Sequence, residues 1–213
     1  MYNPASFADN DPAAVAALVK RYPLGTLITA GPAGLKASLL PFRLQTGDRQ
    51  TLVAHLARAN DHWQALATVD ECLVVFRGAD AYVSPGWYVS KQETGRVVPT
   101  WNYETVQIRG IPRLVHDAAG IRALVAGLTD QMEKPRDEPW RLEDAPDDFI
   151  ATQLRAVVGL TIDVTAIEGK WKMSQNRDER DIRAVAAGLS APGDPHSNLT
   201  VAATVVARNG LDG

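Results

Sequence analysis

A single cysteine, Cys72, excludes an internal disulfide framework. It lies in the apolar run Cys72-Leu-Val-Val-Phe76, where a buried, inert thiol is expected, because burial raises the thiol pKa. No apolar run approaches the roughly 20 residues that span a bilayer, and residues 1–7 lack the basic and apolar regions of a signal peptide, so a cytoplasmic location is expected. The four histidines, His55, His62, His116 and His196, have no metal-ligand spacing and no cysteine pair beside them, which argues against a metal site. Ser38, Ser84 and Ser174 stand in no nucleophile elbow. Basic excess is missing as well: the net charge is −3, and the most basic stretch, residues 170–183, also carries Asp178, Glu179 and Asp181. Strands and helices do not alternate, and no G-x-G-x-x-G turn follows the first strand-like run, which excludes a Rossmann nucleotide site.

What remains is an ordinary globular composition, 46% hydrophobic and 22% charged over 213 residues, enough for one large domain or one domain with an appendage. Its distinctive feature is aromatic. Between Tyr82 and Tyr103 lie two of the five tryptophans and three of the five tyrosines, in a stretch broken by Pro85, Gly86, Gly95 and Pro99. Aromatic faces alternate there with hydroxyls, an amide and a cation, as suits a flat heterocycle with a polar or phosphorylated tail. A long ordered loop capping a sheet is the plainer reading of the same residues.

Along the chain, Asp11-Pro12 opens a helix over residues 13–22. Residues 24–29, 35–40 and 51–56 read as consecutive antiparallel strands separated by Gly-Pro and Gly-Asp turns. Asn60 caps a short helix, residues 71–76 return as a strand, and residues 105–110 continue toward Val115 as a long strand bent near Gly110 and Pro112. Asp117 caps a helix to about Lys134, a brief helix covers residues 146–154, and residues 157–165, rich in β-branched side chains, form the clearest strand. A helix over 178–189 follows a loop over 168–177. Residues 190–213 read as a loosely held tail, with residues 199–207 a candidate strand. This pattern indicates a mainly β domain over residues 1–189 with peripheral helices, a closed or partly open antiparallel barrel, followed by the tail.

Three polar clusters interrupt the apolar pattern. The first is His55-Leu-Ala-Arg-Ala-Asn60, in which His55 is either a hydrogen-bonded structural residue or an acid/base group. The second is the aromatic stretch. The third, Glu168-Gly-Lys-Trp-Lys-Met-Ser-Gln-Asn-Arg177, is rich in donors for an anion, and its plainer reading is a solvated loop.

Taken in order with residues 1–7, Ala81-Tyr-Val-Ser-Pro-Gly-Trp-Tyr88 and Val98-Pro-Thr-Trp-Asn-Tyr103, these motifs resemble the PaiB-type, FMN-binding negative transcriptional regulators. The resemblance runs from residue 1 to about residue 189. It implies the FMN-binding split barrel related to pyridoxamine 5′-phosphate oxidases, built as a homodimer with flavin at the subunit interface. It further implies one wall of the flavin site from Ser38, Leu39, His55, Leu56, Ala57, Arg58 and Asn60, with Arg58 against the phosphate and Lys172 and Ser174 completing the cradle. Trp101, Asn102 and Tyr103 then cover the ring system, and Gln107 and Gln175 offer amides to its polar edge. Leu39 and Gln107 stand where the family commonly has histidines, so a role resting on those imidazoles is not expected.

No side chain marks itself as a catalytic acid or base. If the protein is an enzyme, flavin carries the hydride chemistry and the protein supplies orientation. DNA enters as a partner only through the resemblance, since the chain has no basic recognition helix and residues 177–189 are amphipathic at best. Three readings stand: an FMN-binding regulator, a flavin-dependent oxidoreductase or flavin reductase, and a flavin-free binding module on the same barrel.

Overall fold

Asp11 accepts the Ala14 N–H at 3.1 Å, and α1 (Pro12–Arg21) follows from this cap and from the proline beside it. The computed structural model describes residues 1–32, 34–47 and 49–211. They form two compact units: a sheet unit, Val15–Phe76 with Gln107–Ile167, and a second unit, Met1–Ala14 with Arg77–Val106 and the chain from Glu168 onward.

In the sheet unit, β1 (Leu24–Gly31) and β2 (Gly34–Pro41) make a hairpin in register from Leu24↔Pro41 to Gly31↔Gly34. A short strand, β3 (Arg43–Gln45), which the sequence pattern had not marked, pairs with β4 (Thr51–Ala57). The helix α2 (His62–Leu66) precedes β5 (Cys72–Val83), which runs seven residues beyond the expected end at Phe76. A short helix, α3 (Ser90–Thr94), ending in left-handed Gly95, interrupts the aromatic stretch. Then come β6 (Thr100–Val115), α4 (Ala118–Glu133), α5 (Asp147–Arg155) and β7 (Val157–Lys172).

The strand order is β2-β1-β5-β6-β7-β4-β3, and the registered pairs are antiparallel. β2 and β4 are not ladder neighbours, yet they lie against each other, so the sheet curls toward closure without closing. This is a split barrel. Its interior holds Leu27, Phe42, Leu52, Leu56, Phe76, Ile108, Leu160 and Ile162, all with no exposed surface. Phe42 meets Phe76 edge to face at 5.7 Å between centroids, and burying each ring is worth about 1.5–3 kcal/mol. The bend expected near Gly110 has a steric cause: a Cβ there would stand 2.4 Å from the Asp163 carbonyl oxygen on β7. On the outer side, α4 covers β4 through Val53, Leu124 and Leu128.

In the second unit β7 persists through Lys172, so the third polar cluster is half strand; its loop begins only at Met173. Asp178 caps α6 (Glu179–Ser190) by accepting the Asp181 N–H at 2.9 Å. Residues 199–207 are helical, not a strand. In α7 (Leu199–Arg208) the Asn198 side chain accepts the Val201 N–H, and Val201, Ala202 and Val205 are buried at helical spacing. Packing of this stripe against α6 overrides the β propensity of its valines and threonines. Arg208 is paired with Asp9 and lies 4.3 Å above the Trp171 ring, and Asn209 donates to the Met173 carbonyl at 2.9 Å, so this end of the chain is tied down through residue 209. Among the described residues no helix is long and apolar enough to cross a membrane.

Candidate functional site

Strand alternation decides which of the expected site residues face together. On β2, Lys36 and Ser38 are half-buried and Leu40 is buried, whereas Leu35, Ala37 and Leu39 are exposed. The turn after β4 brings Asn60 and α2 to the first of these faces. Asn60 Nδ2 donates to Ser38 Oγ at 3.1 Å, and Asn60 Oδ1 accepts the His62 N–H at 3.1 Å. The amide thus serves the helix opening that the sequence pattern gave it, although Asp61 holds the cap position.

His62, 1% exposed, is the residue that sequence reasoning missed. Its Nδ1 lies 2.8 Å from Ser38 Oγ and its Nε2 3.0 Å from Thr29 Oγ1. Ser38 and Thr29 each carry a hydroxyl that can donate or accept, so either neutral tautomer of the imidazole has a partner for both ring nitrogens. Burial pushes the imidazole pKa down, the Lys36 charge adds to this, and Asp61 opposes it. Lys36 pairs with Asp61 at 2.7 Å. The available signal was spacing: His62 follows Asn60 by two residues, and Lys36 precedes Ser38 by two on a strand.

The run from His55 to Arg58 does not act as one surface. Leu56 is in the barrel interior, while His55 shares the Val53 side of β4. His55 Nδ1 is buried without a partner among the described residues, and burial lowers its pKa. Arg58 donates through Nε to the Arg155 carbonyl at 3.1 Å and through Nη2 to the Val157 carbonyl at 3.0 Å, which leaves three of its five N–H donors. Ala57, exposed, ends the strand.

In the second unit, Asn102 is fully buried and Trp101 is 52% exposed, so consecutive residues of the expected ring cover point to opposite faces of β6. Asn102 Nδ2 donates to Ser174 Oγ at 3.0 Å, and the Ser174 hydroxyl lies 3.3 Å from Asn102 Oδ1. Ser174 is 4% exposed and has φ +68°, the left-handed region that side chains avoid. Gln175 folds back on its own turn, accepting the Met173 N–H and donating to the Trp171 carbonyl, each at 2.6 Å.

Lys172 Nζ donates to Thr100 Oγ1 at 2.6 Å and to the Trp101 carbonyl; burial lowers its pKa, helped by the charges of Lys170 and Arg177. Beside it, Tyr82 meets Trp101 edge to face at 6.1 Å and His196 at 4.6 Å. Tyr103 lies under the Lys170 ammonium at 5.3 Å. Gln107, half-buried, belongs to the sheet unit. Cys72 is buried, donates to the Gly110 carbonyl at 3.5 Å, and has its thiol pKa pushed up to about 12 by burial and the neighbouring Glu71.

An unclosed antiparallel barrel with a hydroxyl–amide–imidazole group at its edge and the exposed Trp101 on a long strand defines the class: a split-barrel protein of the flavin-binding kind. Residues 1–166 match the family model described as "Putative FMN-binding domain". The chain belongs to that family, the PaiB-type FMN-binding proteins, and FMN is its cofactor. It is 28% identical over 198 residues to the "Protease synthase and sporulation protein PAI 2" of Bacillus subtilis, covering 92% of this chain and 93% of that one. It is 36% identical over 143 residues to an uncharacterised protein of Saccharomyces cerevisiae, covering 57% and 84%. The FAD and heme binding protein of Mycobacterium smegmatis shares the fold, with a TM-score of 0.60 at 19% identity over 85% of this chain and 80% of that one.

The residues fit a flavin phosphate and ring. Around Ser38 the hydroxyl, the Asn60 amide and the Lys36 ammonium offer donors suited to a phosphate, whereas Arg58 is turned to the Arg155 and Val157 carbonyls and Leu39 is exposed on the opposite face of β2.

Proposed function

We propose that the protein is a homodimeric, cytoplasmic FMN-binding regulator that represses transcription, as its resemblance to the PaiB-type regulators implies. The observation that carries the flavin-bound dimer is the outer face of the β1–β2 hairpin. Leu35 and Leu39 are 81% and 61% exposed on β2, the strand that ends the order and has a ladder partner, β1, on one side alone among the described residues. Apolar side chains in a row on a sheet edge mark an interaction surface, and a ring system with a second barrel would cover them.

In this reading Ser38, Asn60 and Arg58 hold the phosphate end, Leu39 and Ala57 border the ring, and His62 orients the Ser38 hydroxyl. Trp101, Tyr103 and Lys172 belong to the wall given by the partner. Asn102, Ser174 and Gln175 shape the turn that carries Lys172. The regulatory half rests on the family and on the Bacillus subtilis relative, whose name assigns it to protease synthesis and sporulation.

The second reading is a flavin-dependent oxidoreductase. It is favoured by the exposed Trp101 and its ring partners Tyr82 and His196, which offer stacking faces to a small aromatic substrate. Bound flavin would supply hydride transfer, and these residues would orient the substrate.

An absorbance spectrum of untagged protein, followed by anaerobic addition of a nicotinamide donor, separates the readings. Retained flavin without turnover, together with salt-sensitive, sequence-specific DNA binding, supports the regulator. Flavin that is bleached and then reoxidised by a small molecule supports the oxidoreductase. Protein that takes up no added FMN refutes both.

A further inference from the structure

Between the first turns of α4, the end of α5 and the turn after β4, the sheet unit has a cavity of about 680 Å³, within the size range of small-molecule sites. Its apolar lining is Ile121, Leu154 and three alanines whose small side chains leave the space open. Its polar lining is basic throughout: Arg58, His116, Arg122 and Arg155, with no carboxylate among the lining residues.

Three of these groups are held in place. The Arg58 guanidinium is fixed by the carbonyls of Arg155 and Val157. His116 stands edge to face with Trp63 at 5.9 Å, and the indole N–H of Trp63 is in turn anchored on the Arg58 carbonyl at 3.0 Å. Arg155 is steadied by Thr152 Oγ1 at 2.9 Å. Among the described residues only Arg122 of the four has an acidic partner, the exposed Glu143 at 3.0 Å. A net −3 chain that gathers four basic side chains around an apolar floor has built a complement to a negative head on a hydrocarbon body.

We propose that this cavity binds a small amphipathic monocarboxylate, its body on Ile121 and Leu154 and its carboxylate against Arg155 and Arg122. Arg58 borders both this cavity and the proposed flavin site, but the carboxylate is placed on Arg155 and Arg122, so the site needs no flavin. Calorimetric titration of FMN-loaded and FMN-free protein with octanoate and with benzoate tests it, with octanol and octylamine as neutral and cationic controls of the same length.

Saturable carboxylate binding is expected, at least about tenfold tighter than either control. Preference for octanoate would point to a lipid-derived acid and preference for benzoate to an aromatic one. The Arg122→Gln, Arg155→Gln double variant should weaken carboxylate binding by about tenfold or more, and Ala151→Trp, on the exposed side of α5, should abolish it by filling the space. FMN affinity should be unchanged in both, which separates failure of this site from failure of the flavin assignment. Absence of saturable carboxylate binding, equal binding of the controls, full affinity in the double variant, or displacement of the carboxylate by FMN would each overturn the proposal.

Discussion

Asn102 and Ser174 offer the sharpest test of how the second unit is held. Replacing Asn102 with Ala removes one bond of 3.0 Å and one weaker contact of 3.3 Å, and strands the Ser174 hydroxyl at 4% exposure. A lost bond costs about 1 kcal/mol net and an unsatisfied buried group about 1–3 kcal/mol more, so about 2–4 kcal/mol is expected for N102A. S174A should cost about the same, because it strands the amide instead. The double variant loses the bond once and leaves neither group stranded, so the two costs should fall short of additivity by about 3 kcal/mol or more. Ser174→Gly should be milder than S174A by about 1 kcal/mol, since glycine accepts φ +68° without strain. Urea unfolding with unchanged m-values is the assay. Additive single-variant costs would show that the two side chains do not act on each other. Lost FMN affinity at undiminished stability would instead return Asn102 to the flavin wall.

Arg58→Ala should weaken FMN binding by about 1.5–3 kcal/mol in a flavin fluorescence titration if its free donors reach the phosphate; unchanged affinity would leave Arg58 to its two carbonyl partners. Leu39→Glu, at a site 61% exposed, should leave the barrel folded but raise the dimer dissociation constant at least about tenfold in sedimentation equilibrium, and an unaltered mass would exclude this face from the interface. His62 and His55 both have folded-state pKa values below the ordinary 6.5, so the unfolded chain takes up protons first as pH falls. Stability should therefore be full above about pH 6.5 and decline below it, with a shallower decline in His62→Gln; a urea midpoint that rises on acidification would reverse this sign. Cys72 should resist maleimide until the chain unfolds, since its thiol is buried with a pKa of about 12, and rapid labelling of native protein would contradict that burial.

Much of the barrel was legible because its signals are local. Short apolar runs at residues 24–29 and 51–56, glycine and proline at the turns, and Asp11 and Asp117 as caps act within a few residues of themselves. The family motifs were legible for the same reason, as contiguous strings. Where the reading failed, a distant element decided the outcome. The α7 stripe reads as a strand until α6 buries one side of it, and β7 runs on through Glu168–Lys172 although its composition suggests a loop.

The sequence by itself determined the class of fold, the family and the choice of cofactor, since all three follow from short-range pattern and ordered motifs. Tertiary structure alone decided which residues of each motif face together. It set Asn102 behind β6 while Trp101 faces out, spent Gln175 on its own turn, turned Arg58 toward two carbonyls, and brought His62 between Thr29 and Ser38, 33 and 24 residues away. The reason is physical: a pleated strand sends neighbours to opposite faces, and buried polar groups take whichever partner the folded chain brings within reach.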